Sequence, residues 1–403
     1  MIGKPFMEAV PVLELIERSG FEAYFVGGSV RDHILGREIA DVDIATSALP
    51  EELKRIFSKT TDVGVEHGTI LVHFKGASYE ITTFRSEAEY SDFRRPDKVS
   101  FIRSLREDLQ RRDFTMNAIA MDKDGEIIDP FAGKDAIHSK QIVTVGNPDE
   151  RFGEDALRML RAVRFLSQLS FSIEDKTLKS FQQHCRLLEN IAVERKTVEF
   201  EKMLQGPDRS KAVKLLATSG MFQYLPGLKQ HQESLIRFSS QISENLELAE
   251  TWVLLLYELG LAGKEIEDFL RAWKLPVQKI KKLKQIHSWL LLRIDAQWNE
   301  ESLYKAGLEN AISSEKVYKT LFPEKSSMIG QITQIHEQLP IKHRQELKVT
   351  GNDLMAWLDR NPGPWLRELL EEIEKAVIHG IVQNEKEKIK AWLNGSNLKS
   401  EKN

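Results

Sequence analysis

The sequence predicts an α+β fold, and three observations carry that expectation. The first third alternates short β-rich runs with helical ones. After about Gly146 the apolar residues fall at helical spacing and clear strand signals vanish. At 403 residues the chain is also too long for one hydrophobic core. A mixed N-terminal sheet with helices on one face, followed by an all-α remainder in several parts, meets all three.

The elements follow in order. Ala23-Tyr24-Phe25-Val26 reads as a strand, and Ser29 to Leu35 as the start of a helix. Between them Gly27-Gly28 makes a tight turn whose backbone N–H groups suit a phosphate. Asp41 and Asp43 come next. On a strand, residues two apart share a face, so these carboxylates can share a pair of divalent cations while Val42 and Ile44 turn to the core. A lone D-x-D or a lone glycine pair is usually only a turn. Their succession within one strand-helix-strand unit is what points to a nucleotide-handling metal site.

Two hairpins are expected beyond it. Residues 70–74 and 79–84 flank Lys75-Gly76-Ala77-Ser78, and Ala118–Met121 and Glu126–Asp129 flank Asp124-Gly125. The charged stretch from Arg85 to Ser100 reads as a long mobile loop. Arg111-Arg112-Asp113-Phe114-Thr115-Met116-Asn117-Ala118 is expected to end a helix and enter a strand. There Arg112 can pair a phosphate or sugar oxygen and Asp113 can accept from ribose hydroxyls; the plainer reading makes Arg111 a surface charge and Asp113 a helix-terminus partner.

Glu154 to Phe165 reads as a helix on which Asp155, Arg158, Arg161 and Arg164 recur every three residues. They form a slanting ridge, with Ala156, Leu160 and Val163 packing away from it. A carboxylate accepts from N6 of adenine or N4 of cytosine while a guanidinium donates to the adjacent ring nitrogen. Asp155 with Arg158 can therefore select A and C over G and U without a nucleic-acid template. The plainer reading is an amphipathic helix with surface arginines.

Composition bounds the class. With 41% hydrophobic and 29% charged residues the chain is an ordinary globular protein, and no apolar run approaches membrane-spanning length. The N-terminus lacks the apolar stretch of a signal peptide, and the single Cys185 permits no intramolecular disulfide; a cytoplasmic protein with a buried structural thiol is expected. Residues 1–270 carry 35 Lys and Arg against 44 Asp and Glu, whereas 271–403 carry 22 against 17, so the C-terminal third is basic. Between Arg271 and Ile294 lie seven basic residues and no acidic one, with Trp273 and Trp289 beside them. Such a stripe suits phosphate-backbone contact, although a solvated helix face gives the same pattern. Gly and Pro punctuation divides the chain near 147, 200 and 270.

Taken together, Gly-Gly-Ser-Val-Arg-Asp, Asp-Val-Asp, Arg-Arg-Asp-Phe-Thr-Met-Asn-Ala and Glu-Asp-Ala-Leu-Arg-Met-Leu-Arg-Ala-Val-Arg-Phe resemble the ordered motifs of class II CCA-adding enzymes. These are tRNA nucleotidyltransferases of the polymerase-β-like superfamily. Asp129-Pro130-Phe131 and the run Glu194–Phe200 extend the likeness over roughly the first 200 residues. Val349–Leu354 and Pro362–Leu366 resemble the tail of the Bacillus-type bacterial branch.

The resemblance implies a seahorse-like chain with a nucleotidyltransferase head (1–146), a nucleotide-selecting neck (147–200), a body (201–270) and a tRNA-binding tail (271–403). It implies Mg²⁺ on Asp41 and Asp43, and an ATP and CTP pocket containing Gly28, Arg31, Arg112, Asp113, Asp155, Arg158, Arg161 and Arg164. Glu80 is a candidate third carboxylate. The tRNA acceptor arm is the implied partner, no membrane is involved, and the family includes homodimers. The implied reaction is sequential transfer of CMP, CMP and AMP to the tRNA 3′ end.

Related activities share parts of this pattern: bacterial poly(A) polymerase, and enzymes adding only CC or only A. Arg85, Glu87, Tyr90, Asp92, Arg94 and Arg95 fill the loop that CC-only relatives lack in part, which favours A addition. A silent RNA-binding relative is expected to have lost a carboxylate, and a small-molecule nucleotidyltransferase needs no basic tail.

Overall fold

The computed structural model describes residues 3–88 and 98–395. They gather into two compact units. One takes in the described residues up to Ser240 together with Ala272–Lys274; the other takes Gln241–Arg271 and the described residues from Leu275 onward.

In the first unit a seven-stranded mixed sheet has the order β3-β4-β5-β2-β1-β8-β9. Its strands are β1 (Ala23–Val26), β2 (Asp43–Thr46), β3 (Thr60–Gly64), β4 (Thr69–Phe74), β5 (Ala77–Thr83), β8 (Ala120–Met121) and β9 (Ile127–Ile128). Only β2 and β5 pair in parallel, and the expected hairpins appear as β4–β5 and β8–β9. The register sets Val26 opposite both Asp43 and Ala120, which brings the end of β1, the start of β2 and β8 together at one sheet edge. The core is apolar at alternate positions, as the pleat requires: Phe25, Ile44, Ile70, Val72 and Ile81 are buried. Helix α1 (Lys4–Arg18) adds Phe6, Ala9, Val12, Leu13 and Ile16 from one face, and the Phe6 and Phe25 rings meet at 4.8 Å. Each such side chain contributes roughly 1.5–3 kcal/mol by leaving water.

Three local expectations need correction. Asp43 opens β2, but Asp41 precedes the strand. The segment from Arg85 to Ser100 is not wholly loop, since β6 (Arg85–Ala88) pairs antiparallel with β7 (Lys98–Phe101); Tyr90, Asp92, Arg94 and Arg95 lie outside the described residues, as does the Glu87 side chain. The run from Arg111 to Ala118 does leave a helix, α4, but enters a 3₁₀ turn at Thr115–Asn117 before β8.

The remaining helices of this sheet-bearing part are α2 (Gly28–Ile34), α3 (Pro50–Ile56), α4 (Leu105–Gln110) and α5 (Gly133–His138). Beyond them run α6 (Pro148–Glu154), α7 (Leu157–Leu169), α8 (Asp175–His184), α9 (Val193–Leu204), α10 (Arg209–Thr218) and α11 (Gln232–Gln241). The strand signal does not end entirely at Gly146, because β10 (Gln141–Ile142) pairs in parallel with β11 (Ser172–Ile173). Ala156, Leu160 and Val163 are buried, as the ridge pattern expects. Asp155, however, is not on the helix: its backbone (φ −140°, ψ 102°) is extended and separates α6 from α7. Cys185 closes α8 and is only half-buried. Trp273 is fully buried against Phe200, with ring centroids 4.5 Å apart, so it presents no stacking face to a nucleic acid.

Among its described residues the second unit has helices and no strand. It comprises α12 (Leu248–Glu258), α13 (Lys264–Ala272), α14 (Val277–Asp295), α15 (Glu300–Ala306), α16 (Leu308–Leu321), α17 (Ile329–Gln338), α18 (Gly351–Leu358), α19 (Pro364–Ile378) and α20 (Lys386–Gly395). Trp252, Leu254, Leu283, Ile286 and Leu290 are buried in its middle, and Leu354, Ile373, Val377 and Ile389 form a separate core near the end. Among the described residues no helix is long and apolar enough to cross a membrane.

Candidate active site

The site grows from the turn between β1 and α2. Gly27 adopts φ 73°, ψ −135°, a backbone that side chains disfavour, and a Cβ there would lie 3.0 Å from the Arg112 guanidinium. Asp43, opposite Val26 in the sheet, is on the same edge, with its Oδ2 3.9 Å from that Cβ position. Asp43 opens toward the cleft, and partial desolvation there, together with the carboxylates of Glu80 and Asp41, raises its carboxyl above the ordinary range although Arg112 pulls the other way. Glu80 sits on β5 next to Asp43, because Ile81 pairs with Ile44 across the parallel strands.

This edge forms one end of a cleft of about 880 Å³, lined by Gly27, Gly28, Arg31, Asp43, Arg85, Arg111, Arg112, Asp113, Asn117, Asp155, Arg158, Arg161, Arg164, Phe165, Arg195 and Lys202, among others. Basic side chains far outnumber the acidic ones there, which suits a polyanion. Every nucleotide-pocket residue expected from sequence lines the cleft. Of the metal pair, Asp43 lines it and Asp41 does not.

The arginines are held, not loose. Arg31 grips Asp32 through Nε and Nη2 (3.0 and 2.9 Å) and donates through Nη1 to Asn117 Oδ1 at 2.7 Å. Arg161 pairs with Asp113, its Nε 2.7 Å from Oδ2. Asp113 Oδ1 also accepts from the Phe114 N–H and from Asn117 Nδ2 (2.8 and 3.1 Å). Burial works to raise the Asp113 carboxyl, but Arg161 and these donors outweigh it and hold it at about 2. Asp113 is thus committed to internal partners in this state.

Arg164 Nε approaches Glu199 Oε2 at 3.2 Å, and its guanidinium lies 4.2 Å from the centre of the Phe165 ring. Arg158 donates to the Arg151 and Arg111 carbonyls, both at 3.0 Å, and to Glu154 Oε2. Asp155 uses its extended backbone to aim Oδ1 at the Leu157 N–H (3.0 Å), satisfying the first turn of α7, while Oδ2 accepts from Arg195 Nη2 at 2.7 Å. Among the described residues Arg195 Nη1 and Arg112 Nε are buried without a hydrogen-bond partner.

Sequence reasoning missed Arg195, Glu199 and Lys202 as cleft and counter-charge residues, although Arg195, Glu199 and Lys202 recur at i, i+4 and i+7 and so share one face of α9. It also missed Asp108, which carries the Arg111 and Arg112 side chains, and Asn117, which bridges Arg31 and Asp113.

The hard oxygen donors of Asp41 and Asp43 fit divalent cations, and desolvation, with a smaller push from the Glu80 and Asp41 carboxylates, raises Asp43 in a way that a bound cation would offset. Among the described residues no three His, Cys, Asp or Glu side chains come together to hold a metal ion, so Glu80 does not complete a three-carboxylate set with Asp41 and Asp43. Two carboxylates leave coordination positions for phosphate and water, the usual arrangement for Mg²⁺.

In the second unit the basic run is largely neutralised. Arg271 and Lys284 share Glu267, Lys282 meets Glu309, and Arg293 is buried against Glu315. At least four of the seven basic residues of the stripe are thus ion-paired, three of them in pairs that reach solvent and Arg293 in a buried one.

Fold and cleft together define a nucleotidyltransferase. A family model described as "Poly A polymerase head domain" matches residues 23–143, one described as "Probable RNA and SrmB- binding site of polymerase A" matches 170–232, and "tRNA nucleotidyltransferase domain 2 putative" matches 245–393. The chain belongs to the CCA-adding enzyme family: it is 47% identical to the CCA-adding enzyme of Geobacillus sp. (strain WCH70), the match covering 98% of each chain, and 46% identical to that of Bacillus cytotoxicus over 98% of this chain and all of the other. The structure of the Bacillus stearothermophilus CCA-adding enzyme in complex with CTP superposes with a TM-score of 0.89 at 45% identity, covering 98% of each chain. The Thermotoga maritima CCA-adding enzyme complexed with tRNA_CCA shares the fold at a TM-score of 0.67 and 20% identity.

Proposed function

We propose that this chain adds and repairs the 3′-terminal CCA of tRNA, transferring CMP, CMP and AMP in turn from CTP and ATP, with release of pyrophosphate and no nucleic-acid template. The observation that carries the reading is the arginine-lined cleft that has Asp43 and the glycine turn at one end and Asp155 with Arg158 on its wall. Metal and phosphate chemistry thus adjoins a donor–acceptor pair able to read a base edge. Similarity over nearly the full length to enzymes named for CCA addition favours it over A-only, CC-only or poly(A) synthesis.

Each residue has a role in this reading. Asp41 and Asp43 hold Mg²⁺, which when bound neutralises the triphosphate and eases ionisation of the attacking hydroxyl. Gly28 offers its backbone to the phosphates, and Arg31 and Arg112 neutralise them from the sides of the turn. Asp155 accepts from the exocyclic amine of C or A while Arg158, already fixed by three acceptors, donates to the neighbouring ring nitrogen. Guanine and uracil present the reverse pattern and leave both groups unpaired. Arg161 holds Asp113 beside the sugar, and Arg164 closes the cleft against Phe165. The tRNA 3′ oxygen then attacks the α-phosphorus in line with departing pyrophosphate, and positioning with charge neutralisation supplies most of the rate.

We assign residues 1–146 to the catalytic head, 147–200 to the selecting neck, 201–270 to the body and 271–403 to the tRNA-holding tail. The test is a nucleotide-addition ladder: protein, Mg²⁺, and CTP, ATP, UTP and GTP singly and mixed, with tRNA ending at the discriminator base, at C or at CC. Growth by C, C and A that then stops is expected. UMP incorporation or long A tracts would overturn the reading. Asp41→Ala and Asp43→Ala should abolish growth while leaving tRNA binding nearly intact.

A further inference from the structure

We propose that Asp108 is a positioning residue that sets the phosphate side of the cleft. It touches neither the cleft nor the reacting atoms. Its side chain is 1% exposed, in the middle of the short helix α4, and three cleft-lining residues converge on its carboxylate. Oδ1 accepts from Arg111 Nε and Nη2 at 3.0 and 2.8 Å and from the Arg85 backbone N–H at 3.2 Å, while Oδ2 accepts from Arg112 Nη2 at 3.2 Å.

A buried carboxylate is costly to keep charged unless cations surround it, and here the paired guanidinium groups overcome burial and keep the acid ionised. What Asp108 gains in return is geometric. Arg112 is a long side chain with several rotamers of similar energy, and its Nη2 anchor holds its Nη1 edge over the Gly27 turn, where a Cβ would lie 3.0 Å away, and beside Asp43. The same carboxylate fixes the first residue of β6 through its N–H, so the hairpin base and the two arginines share one anchor. Neutralising Asp108 removes the carboxylate anchor of Arg112 and leaves it the longer bond from its Nη1 to the Asn117 carbonyl, 3.4 Å, to hold it at the turn.

This inference rests on the reading that Arg112 faces the triphosphate, and the experiment separates the two. Inorganic pyrophosphate probes the phosphate side alone, so its Ki as an inhibitor competing with CTP is measured for the wild type, Asp108→Asn and Arg112→Ala. CTP-over-UTP selectivity and thermal stability are recorded in parallel. Loss of one charge-assisted anchor predicts that Asp108→Asn raises the pyrophosphate Ki and the CTP KM together, by about tenfold or more, with selectivity unchanged. Asp108→Glu retains the charge and serves if the Asn variant does not fold; it should raise the Ki by a smaller but measurable factor. A general loss of structure lowers kcat and thermal stability without this matched rise.

An unmoved Ki in a folded Asp108 variant, or altered selectivity with an unmoved Ki, overturns the proposal if Arg112→Ala raises the Ki. If Arg112→Ala leaves the Ki unmoved, the phosphate role of Arg112 falls and the proposal falls with it.

Discussion

Arg195 reaches across forty residues of chain to place its Nη2 2.7 Å from Asp155 Oδ2. Asp155 has two oxygens, and both are engaged: Oδ1 on the Leu157 N–H and Oδ2 on Arg195. A carboxylate oxygen carries two acceptor sites, so each can still accept a base amine without surrendering its present partner. The carboxylate that reads the base in the proposed mechanism is thus oriented before any nucleotide arrives.

Arg195→Gln is therefore expected to reduce discrimination of CTP against UTP by about tenfold, the usual cost of one charge-assisted hydrogen bond. Asp155→Ala should lose it too, and adding Arg195→Gln to Asp155→Ala should change selectivity no further. Single-turnover incorporation of each nucleotide into tRNA ending in C measures this. Full additivity would separate Arg195 from Asp155.

Asp113 predicts a pH effect. Its folded value of about 2 lies below the ordinary 3.8, so the stabilisation from its ionised form is complete above about pH 4 and disappears as pH falls through about 2. The shift corresponds to roughly 2 kcal/mol. Urea unfolding should find Asp113→Asn less stable than wild type by about this amount or more at pH 7, with the gap narrowing between about pH 4 and pH 2. A constant gap over that interval would place the stabilisation elsewhere.

Gly206 is a packing constraint and not a flexible joint. A Cβ there would stand 2.2 Å from Ser167 Oγ and 2.5 Å from its carbonyl carbon. Ser167 cannot swing away cheaply, since its hydroxyl donates to the Met203 carbonyl and its own carbonyl accepts from the Asp208 N–H. Gly206→Ala should cost about 1–3 kcal/mol through overpacking. Calorimetry should show a clearly lowered Tm, and an unchanged Tm would mean that α7 and α9 slide apart freely.

Legibility from sequence tracked how local the cause was. The β4–β5 hairpin, the buried Ile44 and the apolar side of α7 follow from spacing over a few residues, and all three are present. The cleft residues were found because their motifs are short and chemically dense. Asp155 was placed on a helix because Glu154 to Phe165 has helical spacing throughout; the extended backbone that breaks it satisfies the start of α7 and admits Arg195, a partner forty residues away. Glu199 escaped for the same reason, since it looks like an ordinary helix acid until the fold brings Arg164 to it, whereas Arg111 and Arg112 follow Asp108 at i+3 and i+4 and only its burial is set by distant residues. Trp273 stands beside the basic run in sequence, and the position of Phe200 shows that it is core.

Arg293 gives the clearest consequence of that last distinction. In sequence it belongs to a basic stripe, yet its side chain is 7% exposed and its Nε lies 2.6 Å from Glu315 Oε2, with the guanidinium 3.8 Å from the centre of the Tyr318 ring. Glu315 also accepts from Trp298 Nε1 at 3.1 Å and from the Met328 N–H at 2.9 Å, so one carboxylate joins α14, α16 and the start of α17. Removing it leaves a buried guanidinium uncompensated along with two orphaned donors. Glu315→Ala should cost about 3–5 kcal/mol. The Lys282–Glu309 pair is a fair control, because Glu309 is 83% exposed, and Glu309→Ala should cost at most about 1 kcal/mol. The same geometry predicts an RNA-binding difference: Lys281→Ala, on the open face of α14, should shallow the salt dependence of tRNA binding, whereas Arg293→Met should leave that slope unchanged. Unfolding midpoints and tRNA affinity at several salt concentrations test both halves, and a shallower slope for Arg293→Met would return Arg293 to the RNA surface.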